Sequence, residues 1–104
     1  MTKKYELTDV TKNVCGVTVH QIRALKDFGD VKAGDLGGWI EKEENLSHEG
    51  ECWVAGNAGV FGNAWVFDRA KVSDNARVFG DACVSGDARV YGKAQVSGNA
   101  EISN

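Results

Sequence analysis

Apolar residues in the second half of the chain recur with a fixed period of six. One series is aliphatic: Val54, Val60, Val66, Val72, Val78, Val84, Val90, Val96 and Ile102. A second series is alanine, two residues before each later aliphatic position: Ala58, Ala64, Ala70, Ala76, Ala82, Ala88, Ala94 and Ala100. This period fits neither an amphipathic helix, whose apolar positions recur about every 3.6 residues, nor a heptad coiled coil.

Turn-forming residues separate these apolar positions. Two residues after each valine stands Gly or Asp, usually followed by Asn or Asp, and these residue types tolerate positive φ and turn the chain without proline. Alanine and valine are two apart, so both point to one face of a strand, while the residues beside valine point to the other. Each hexad therefore predicts a short strand and a corner. Three hexads make a triangular turn of about 18 residues, and successive turns stack as parallel strands.

The repeat region resembles the hexapeptide-repeat, left-handed parallel β-helix superfamily, which includes acyltransferases and carbonic anhydrases. The segments Asp35-Leu-Gly-Gly-Trp-Ile and Cys52-Trp-Val, with the Gly-Asn-Ala repeats that follow, are similar to short phage and enterobacterial proteins named as transferases or polymer-forming proteins. The resemblance implies an all-β fold, a short left-handed β-helix of about three coils. We assign residues 46–104 to this helix and residues 1–45 to an N-terminal β-rich cap, the two forming a single compact unit.

The N-terminal segment lacks the repeat and alternates like a β-hairpin. Residues 17–25 read as a strand, with a turn near Asn13 or Gly16. We expect the hairpin to cover the first coil, because an uncovered coil exposes unpaired strand edges and an apolar end. The pair Gly37-Gly38 before Trp39 predicts a close approach of two backbones.

Aromatic side chains flank the inward valines, so we expect them on the outer walls. They are Trp53, Phe61, Trp65, Phe67, Phe79 and Tyr91. Exposed aromatic residues favour an interface, and the chain is predicted to be a homo-oligomer, as a trimer or an end-to-end assembly. The alternative is that the N-terminal segment or neighbouring rungs cover them. Phe61 and Phe79 are expected to stack, with Cys83 over Trp65.

Candidate catalytic residues are few. The superfamily's acyltransferases use a histidine at a subunit interface and its carbonic anhydrases use three for a metal, whereas this chain has only His20 and His48. No inserted loop interrupts the hexads to form a pocket. The sequence therefore favours a protein without catalytic residue, cofactor or metal. A minimal acyltransferase with His48 at a subunit interface is the alternative.

Charge and composition exclude several classes of function. A formal net charge of −3 gives no reason to expect nucleic acid as a partner, and no apolar run is long enough for a membrane span. Three cysteines without a Cys-x-x-Cys pair favour reduced thiols in the cytoplasm, which is the host's if a phage encodes the chain. We expect a protein that binds a host protein or a small ligand, and the phage resemblance implies an inhibitor or sponge acting against host defence.

Overall fold

A computed structural model describes residues 3–103, and its regular structure is all-β apart from a 3-10 turn at Glu43–Asn45. Over these residues no helix is long and apolar enough to cross a membrane. Three longer strands come first: β1 (Tyr5–Val14), β2 (Val17–Ala24) and β3 (Leu36–Ile40). Nine two-residue strands follow: β4 (Trp53–Val54), β5 (Gly59–Val60), β6 (Trp65–Val66), β7 (Lys71–Val72), β8 (Arg77–Val78), β9 (Cys83–Val84), β10 (Arg89–Val90), β11 (Gln95–Val96) and β12 (Glu101–Ile102).

The short strands stack in parallel as the three walls of a β-solenoid. We name them the capped wall (β3, β5, β8, β11), the groove wall (β4, β7, β10) and the aromatic wall (β6, β9, β12). From β4 onward each residue pairs with the residue 18 positions on, as in Val54 with Val72 and Val66 with Val84. The predicted all-β solenoid is confirmed.

The stack has about four turns where the sequence predicted about three, because it begins before the recognisable hexads. Trp39 and Ile40 of β3 pair in parallel with Gly59 and Val60, and Leu46 bridges in parallel to Val66. In this first turn Leu46 takes the inward position that Val66 takes one turn later, and Cys52 takes an inward position where later turns carry alanine. The first turn therefore lacks the hexad pattern in its sequence, although its backbone joins the parallel stack of the later turns.

The core of the solenoid consists of the inward valines and alanines. From Val54 to Val84 the inward valines are fully buried. Glycines turn most corners with positive φ, and Asp68 and Asp74 take the same conformation at two corners. Each aspartate compensates for its strain, because its carboxylate accepts the backbone N–H of the glycine on the next rung, Gly86 or Gly92, at 3.1 Å.

The N-terminal hairpin continues the capped wall, since β2 pairs antiparallel with both β1 and β3. The ladder between β1 and β2 is irregular between Leu7 and Thr11, and the hairpin has a different role on either side of this bulge. On one side, Tyr5 and Ile22 join the solenoid core. On the other, Val14 and Val19 pack on the outer face of the capped wall. The predicted hairpin cap is confirmed and covers more than the first coil.

Two adjacent glycines let β3 cross closely over the first turn. A Cβ on Gly37 would lie 2.6 Å from the Trp53 ring and from the Val54 carbonyl oxygen. One on Gly38 would lie 2.6 Å from the Val54 side chain and 2.7 Å from the Ala58 carbonyl oxygen. Real Cβ atoms do not approach so closely, so the predicted requirement for glycine at this pair is confirmed.

Candidate functional site

Two outward ladders form the surface of the groove wall. The residues before the inward valines are Trp53, Lys71 and Arg89, and those after them are Ala55, Ser73 and Tyr91. Successive rungs of parallel strands lie about 4.8 Å apart, so each side chain is flanked by its ladder neighbour. On this wall Lys71 and Arg89 therefore lie side by side, next to a row of smaller residues that ends in Tyr91.

A groove of about 520 Å³ follows these ladders. Asp30, from the segment between β2 and β3, lines it on one side. This segment is held by reciprocal backbone hydrogen bonds of 2.9 and 2.7 Å between Phe28 and Val31. The Phe28 ring meets the Trp53 ring edge-on, with centroids 5.2 Å apart. The groove thus lies between the wall and a segment that is anchored on its first rung.

The charged groups around the groove differ in how they are paired. Arg69 forms an ion pair with Asp87 at 2.7 Å, one rung away. The Asp74 carboxylate accepts the Gly92 N–H. Lys71 and Arg89, by contrast, form no ion pair and no side-chain hydrogen bond within residues 3–103. Two cationic side chains are thus available to a ligand.

A separate buried cluster joins the start of β1 to the first turn of the solenoid. The side chain of Lys4 is fully buried, and its Nζ donates to the Cys52 carbonyl at 2.7 Å and lies 3.3 Å from the Cys52 Sγ. Burial is the main cause that lowers the pKa of Lys4 and raises the pKa of Cys52. The Tyr5 hydroxyl lies 2.5 Å from the Leu46 carbonyl oxygen. These contacts fasten the cap to the solenoid.

His48 belongs to this buried cluster. Its ring stacks on Tyr5 with centroids 4.1 Å apart, and its Nδ1 accepts the backbone N–H of Lys4 at 3.1 Å. Burial lowers the pKa of His48. In a neutral ring whose Nδ1 accepts the Lys4 N–H, the proton is on Nε2. That nitrogen is buried without a hydrogen-bond partner among the described residues, 3.8 Å from the Glu43 carboxylate. Neither ring nitrogen is available as a base for an external substrate.

The second histidine lies apart from the first. His20 is on β2, and its Nδ1 is 3.2 Å from the Thr8 carbonyl oxygen within the same hairpin. In the described part of the chain, no three His, Cys, Asp or Glu side chains are grouped as they would be to hold a metal ion. The structure therefore does not bring His20 and His48 into one site.

The six predicted outward aromatics divide into covered and exposed residues. The expectation that Trp53 and Phe61 are exposed is wrong: only 6% of Trp53 and 5% of Phe61 is accessible. Trp53 lies under Phe28 and Tyr5, and Phe61 lies under the cap residues of the capped wall.

The other four aromatics retain exposed surface. Trp65 and Tyr91 are 45% and 64% exposed, and Phe67 and Phe79 are partly buried. Trp65 stacks on Phe67 at 4.0 Å. The predicted Phe61–Phe79 stack is confirmed, with centroids 5.2 Å apart and rings 4° from parallel. Cys83 pairs with Trp65 in the ladder, as expected.

Two features of the structure were not predicted from the sequence: the burial of Lys4 and the cationic pair on the groove wall. The burial of Lys4 has no signal in the sequence, because lysine is almost never fully buried. The cationic pair of Lys71 and Arg89 did have a signal: the two residues are 18 apart at the same hexad position. The 18-residue period places these two residues together in the same way as it places Phe61 on Phe79.

Two comparisons with known proteins agree with this architecture. The family model for the YdcK Beta solenoid repeat matches residues 70–86 and 82–98. The Uncharacterized acetyltransferase YdcK of Escherichia coli (strain K12) is 46% identical over 50 residues, which is 48% of this chain and 14% of that protein. The chain thus contains solenoid repeats of this kind and spans a small part of the relative's length.

Proposed function

We propose that this chain is a non-catalytic β-solenoid binding module whose ligand occupies the groove wall. The observation that carries the proposal is the groove of about 520 Å³, a volume in the range of small-molecule sites. Its lining combines a tyrosine ring, a serine hydroxyl and two cations without an internal partner. Such a surface suits recognition of a small ligand, and neither a histidine nor a cysteine is among its lining residues.

The alternative is a minimal acyltransferase that uses His48. The name of the Escherichia coli relative favours it, because that protein is called an acetyltransferase. The environment of His48 argues against it: Nδ1 is engaged by the Lys4 N–H and Nε2 is buried. A general base needs an unprotonated nitrogen within reach of the substrate, and this histidine offers none.

Self-association is a second part of the proposal. The stacked pair of Trp65 and Phe67 leaves an aromatic surface on a wall that the hairpin does not cover. Burying it against a second copy would remove apolar area from water. We propose a homo-oligomer, as a trimer or an end-to-end assembly, in the cytoplasm. A phage-encoded inhibitor or sponge acting against host defence is one form that this binding role would take.

An acyl-transfer assay separates the binding module from the enzyme. The wild-type protein, His48→Ala and Cys83→Ala are incubated with acetyl-CoA and a panel of amine and hydroxyl acceptors, and free CoA is measured. We expect all three to remain at the rate of the blank. A rate above the blank that is lost in His48→Ala and kept in Cys83→Ala would overturn the proposal.

Binding is tested with ¹⁵N-labelled protein and a library of small metabolites. We expect at least one compound class to shift the backbone amides of β7 and β10 while those of β8 and β11 stay in place. A library that moves amides only elsewhere, or none at all, would contradict the placement of the ligand on the groove wall.

A further inference from the structure

Lys71 and Arg89 form an unusual pair in the solenoid. They are ladder partners on adjacent rungs of the groove wall. Like charges placed directly opposite each other in a sheet are destabilising. The other outward strand ladders carry no such pair: the matching positions are Gly59, Arg77 and Gln95 on the capped wall, and Trp65, Cys83 and Glu101 on the aromatic wall.

Two other pairs of side chains on adjacent rungs of the solenoid are complementary. Arg69 meets Asp87 one rung away, and Asn63 donates to Asp81 at 3.2 Å across the same spacing. In both pairs the residue one rung away carries an acceptor for the donor side chain. At Lys71 and Arg89 the sequence provides a second cation instead, so an anion from outside the chain would relieve the repulsion.

The surroundings define what kind of anion fits. Asp30 and Glu51 line the same surface as Lys71 and Arg89, and neither carboxylate forms an ion pair with the two cations. These carboxylates disfavour an extended polyanion, whose charge would continue past the pair. Two adjacent cations suit a compact group that carries two negative charges, as a phosphomonoester does.

A planar surface lies beside the cations. Tyr91 follows Arg89 by two residues on the same outward face and is 64% exposed. Ser73, its ladder neighbour, adds a hydroxyl to the lining of the same groove. A ring attached to the phosphate can stack on the tyrosine while the hydroxyl accepts or donates a hydrogen bond.

We propose that the groove wall binds a small phosphomonoester attached to a planar ring, of the kind that nucleoside monophosphates represent. The phosphate lies between the Lys71 ammonium and the Arg89 guanidinium, and the ring stacks on Tyr91. This inference rests on the proposed binding function and specifies its ligand class.

The proposal is tested by titrating the full chain with AMP and following the ¹⁵N amide spectrum. AMP is expected to shift the amides of β7 and β10. Lys71→Gln and Arg89→Gln should each weaken its binding at least about 10-fold, and Tyr91→Ser about 5-fold or more. The matched control is Arg77→Gln, which removes an arginine from the same hexad position on the capped wall and should leave the affinity for AMP unchanged.

Simpler probes separate the two halves of the ligand. Ribose 5-phosphate should bind more weakly than AMP and be insensitive to Tyr91→Ser, and adenosine should not bind measurably. Adenosine binding as tightly as AMP, or AMP binding unaffected by Arg89→Gln, would overturn the phosphate assignment. An oligonucleotide such as dA10 binding more tightly than AMP would overturn the small-ligand assignment in favour of a nucleic acid.

Thermal unfolding gives an independent measurement. Inorganic phosphate at constant ionic strength should raise the Tm of the wild type and leave that of the Lys71→Gln, Arg89→Gln double variant unchanged. Without ligand, Lys71→Gln alone should raise the Tm because it removes the repulsion. The proposal would be contradicted if the Tm of Lys71→Gln were lower than that of the wild type and the Tm of the wild type did not respond to phosphate.

The outcomes also distinguish this inference from the proposed function. If AMP fails to shift β7 and β10 while an unphosphorylated compound shifts them, the ligand class is wrong and the binding site stands. If no compound shifts these strands, both the ligand class and the binding function fail.

Discussion

The capped wall and the groove wall have the same interior and opposite exteriors. Inside, both carry fully buried valines such as Val78 and Val72 at the same position of the hexad. Outside, the capped wall carries stacked phenylalanines covered by the hairpin, whereas the groove wall carries Lys71, Arg89 and Tyr91 facing a groove.

This difference shows which residues set the fold and which are free to set function. The inward positions and the corners are constrained on every wall, because each rung must fill the same triangular interior and turn with the same backbone conformation. The residues beside the valines are constrained only by what lies over them. On the capped wall these outward residues pack against the hairpin, and on the groove wall they include the two cations.

The largest expected effect tests whether the two interiors are equivalent. Val78→Asp and Val72→Asp each place a carboxylate in the solenoid without a partner, at a cost of at least about 3 kcal/mol. Both variants should lose most of their folded structure, as measured by circular dichroism and urea denaturation. The control Ser97→Asp, at an exposed outward position, should unfold like the wild type. Survival of either valine variant with native signal would break the equivalence of the interiors.

The next effect tests the exteriors. Phe61→Glu should destabilise the chain by about 2 to 3 kcal/mol, because it removes a buried ring and puts a carboxylate under the hairpin. Tyr91→Glu on the exposed wall should change the free energy of unfolding by less than about 0.5 kcal/mol. Urea denaturation measures both.

Hydrogen exchange localises the effect of Phe61→Glu. Amide protection should fall in the part of the hairpin around Val14 and Val19, which packs over Phe61, before it falls in the solenoid. Equal stability of Phe61→Glu and Tyr91→Glu would mean that the cap does not stabilise the wall it covers.

The sequence predicted the interior of the hexad repeats, but it predicted the first turn and the exterior only in part. The six-residue period determines which side chains point inward, so the buried valines, the corners and the Phe61–Phe79 stack followed from spacing alone. The same period shows that Trp53 points outward but not that Phe28 covers it. Coverage depends on where the hairpin bends, and the bulge between Leu7 and Thr11 has no clear signature in the residues.

The candidate site was missed for a related reason. The Lys71 and Arg89 ladder is visible in the sequence once outward positions are read 18 residues apart. The groove itself is not visible, because Asp30 reaches it from a segment outside the repeat. Spacing predicts neighbours within the solenoid, whereas contacts between the cap and the solenoid depend on the path of the chain.

A pH titration tests the junction that holds the cap in place. Burial lowers the pKa of His48 below its ordinary value, so near and below pH 6.5 the unfolded chain binds a proton that the folded chain resists. The contribution of His48 to the free energy of unfolding should therefore be fully present above that pH. It should fall as the pH is lowered toward the pKa of His48 in the folded chain, by at most about 1.4 kcal/mol per pH unit.

The contribution of His48 is isolated by His48→Phe, which keeps a ring to stack on Tyr5. Urea denaturation at pH 7.5, 6.5 and 5.5 should show a flatter pH profile in this variant than in the wild type. The same substitution at His20 serves as the control and should leave the contribution of His48 in place. Identical profiles for the wild type and His48→Phe would refute the linkage.

The smallest expected effect concerns two non-glycine residues with positive φ, Cys15 and Asp74. They differ in whether a hydrogen bond compensates for the backbone strain. At the tip of the hairpin over the capped wall, Cys15 and Gly16 both have positive φ, the conformation of a two-residue hairpin turn that favours Asn-Gly. The Cys15 thiol has only a weak contact, 3.5 Å from an Arg77 nitrogen. On the groove wall, Asp74 has the same strain and a compensating hydrogen bond to Gly92. Cys15→Asn should therefore stabilise the chain by about 0.5 to 1 kcal/mol and raise the Tm by about 3 to 6 °C. Asp74→Gly should leave the free energy of unfolding nearly unchanged, because relief of the backbone strain offsets the lost hydrogen bond to Gly92. If Asp74→Gly stabilised the chain as much as Cys15→Asn, this hydrogen bond would contribute nothing to stability.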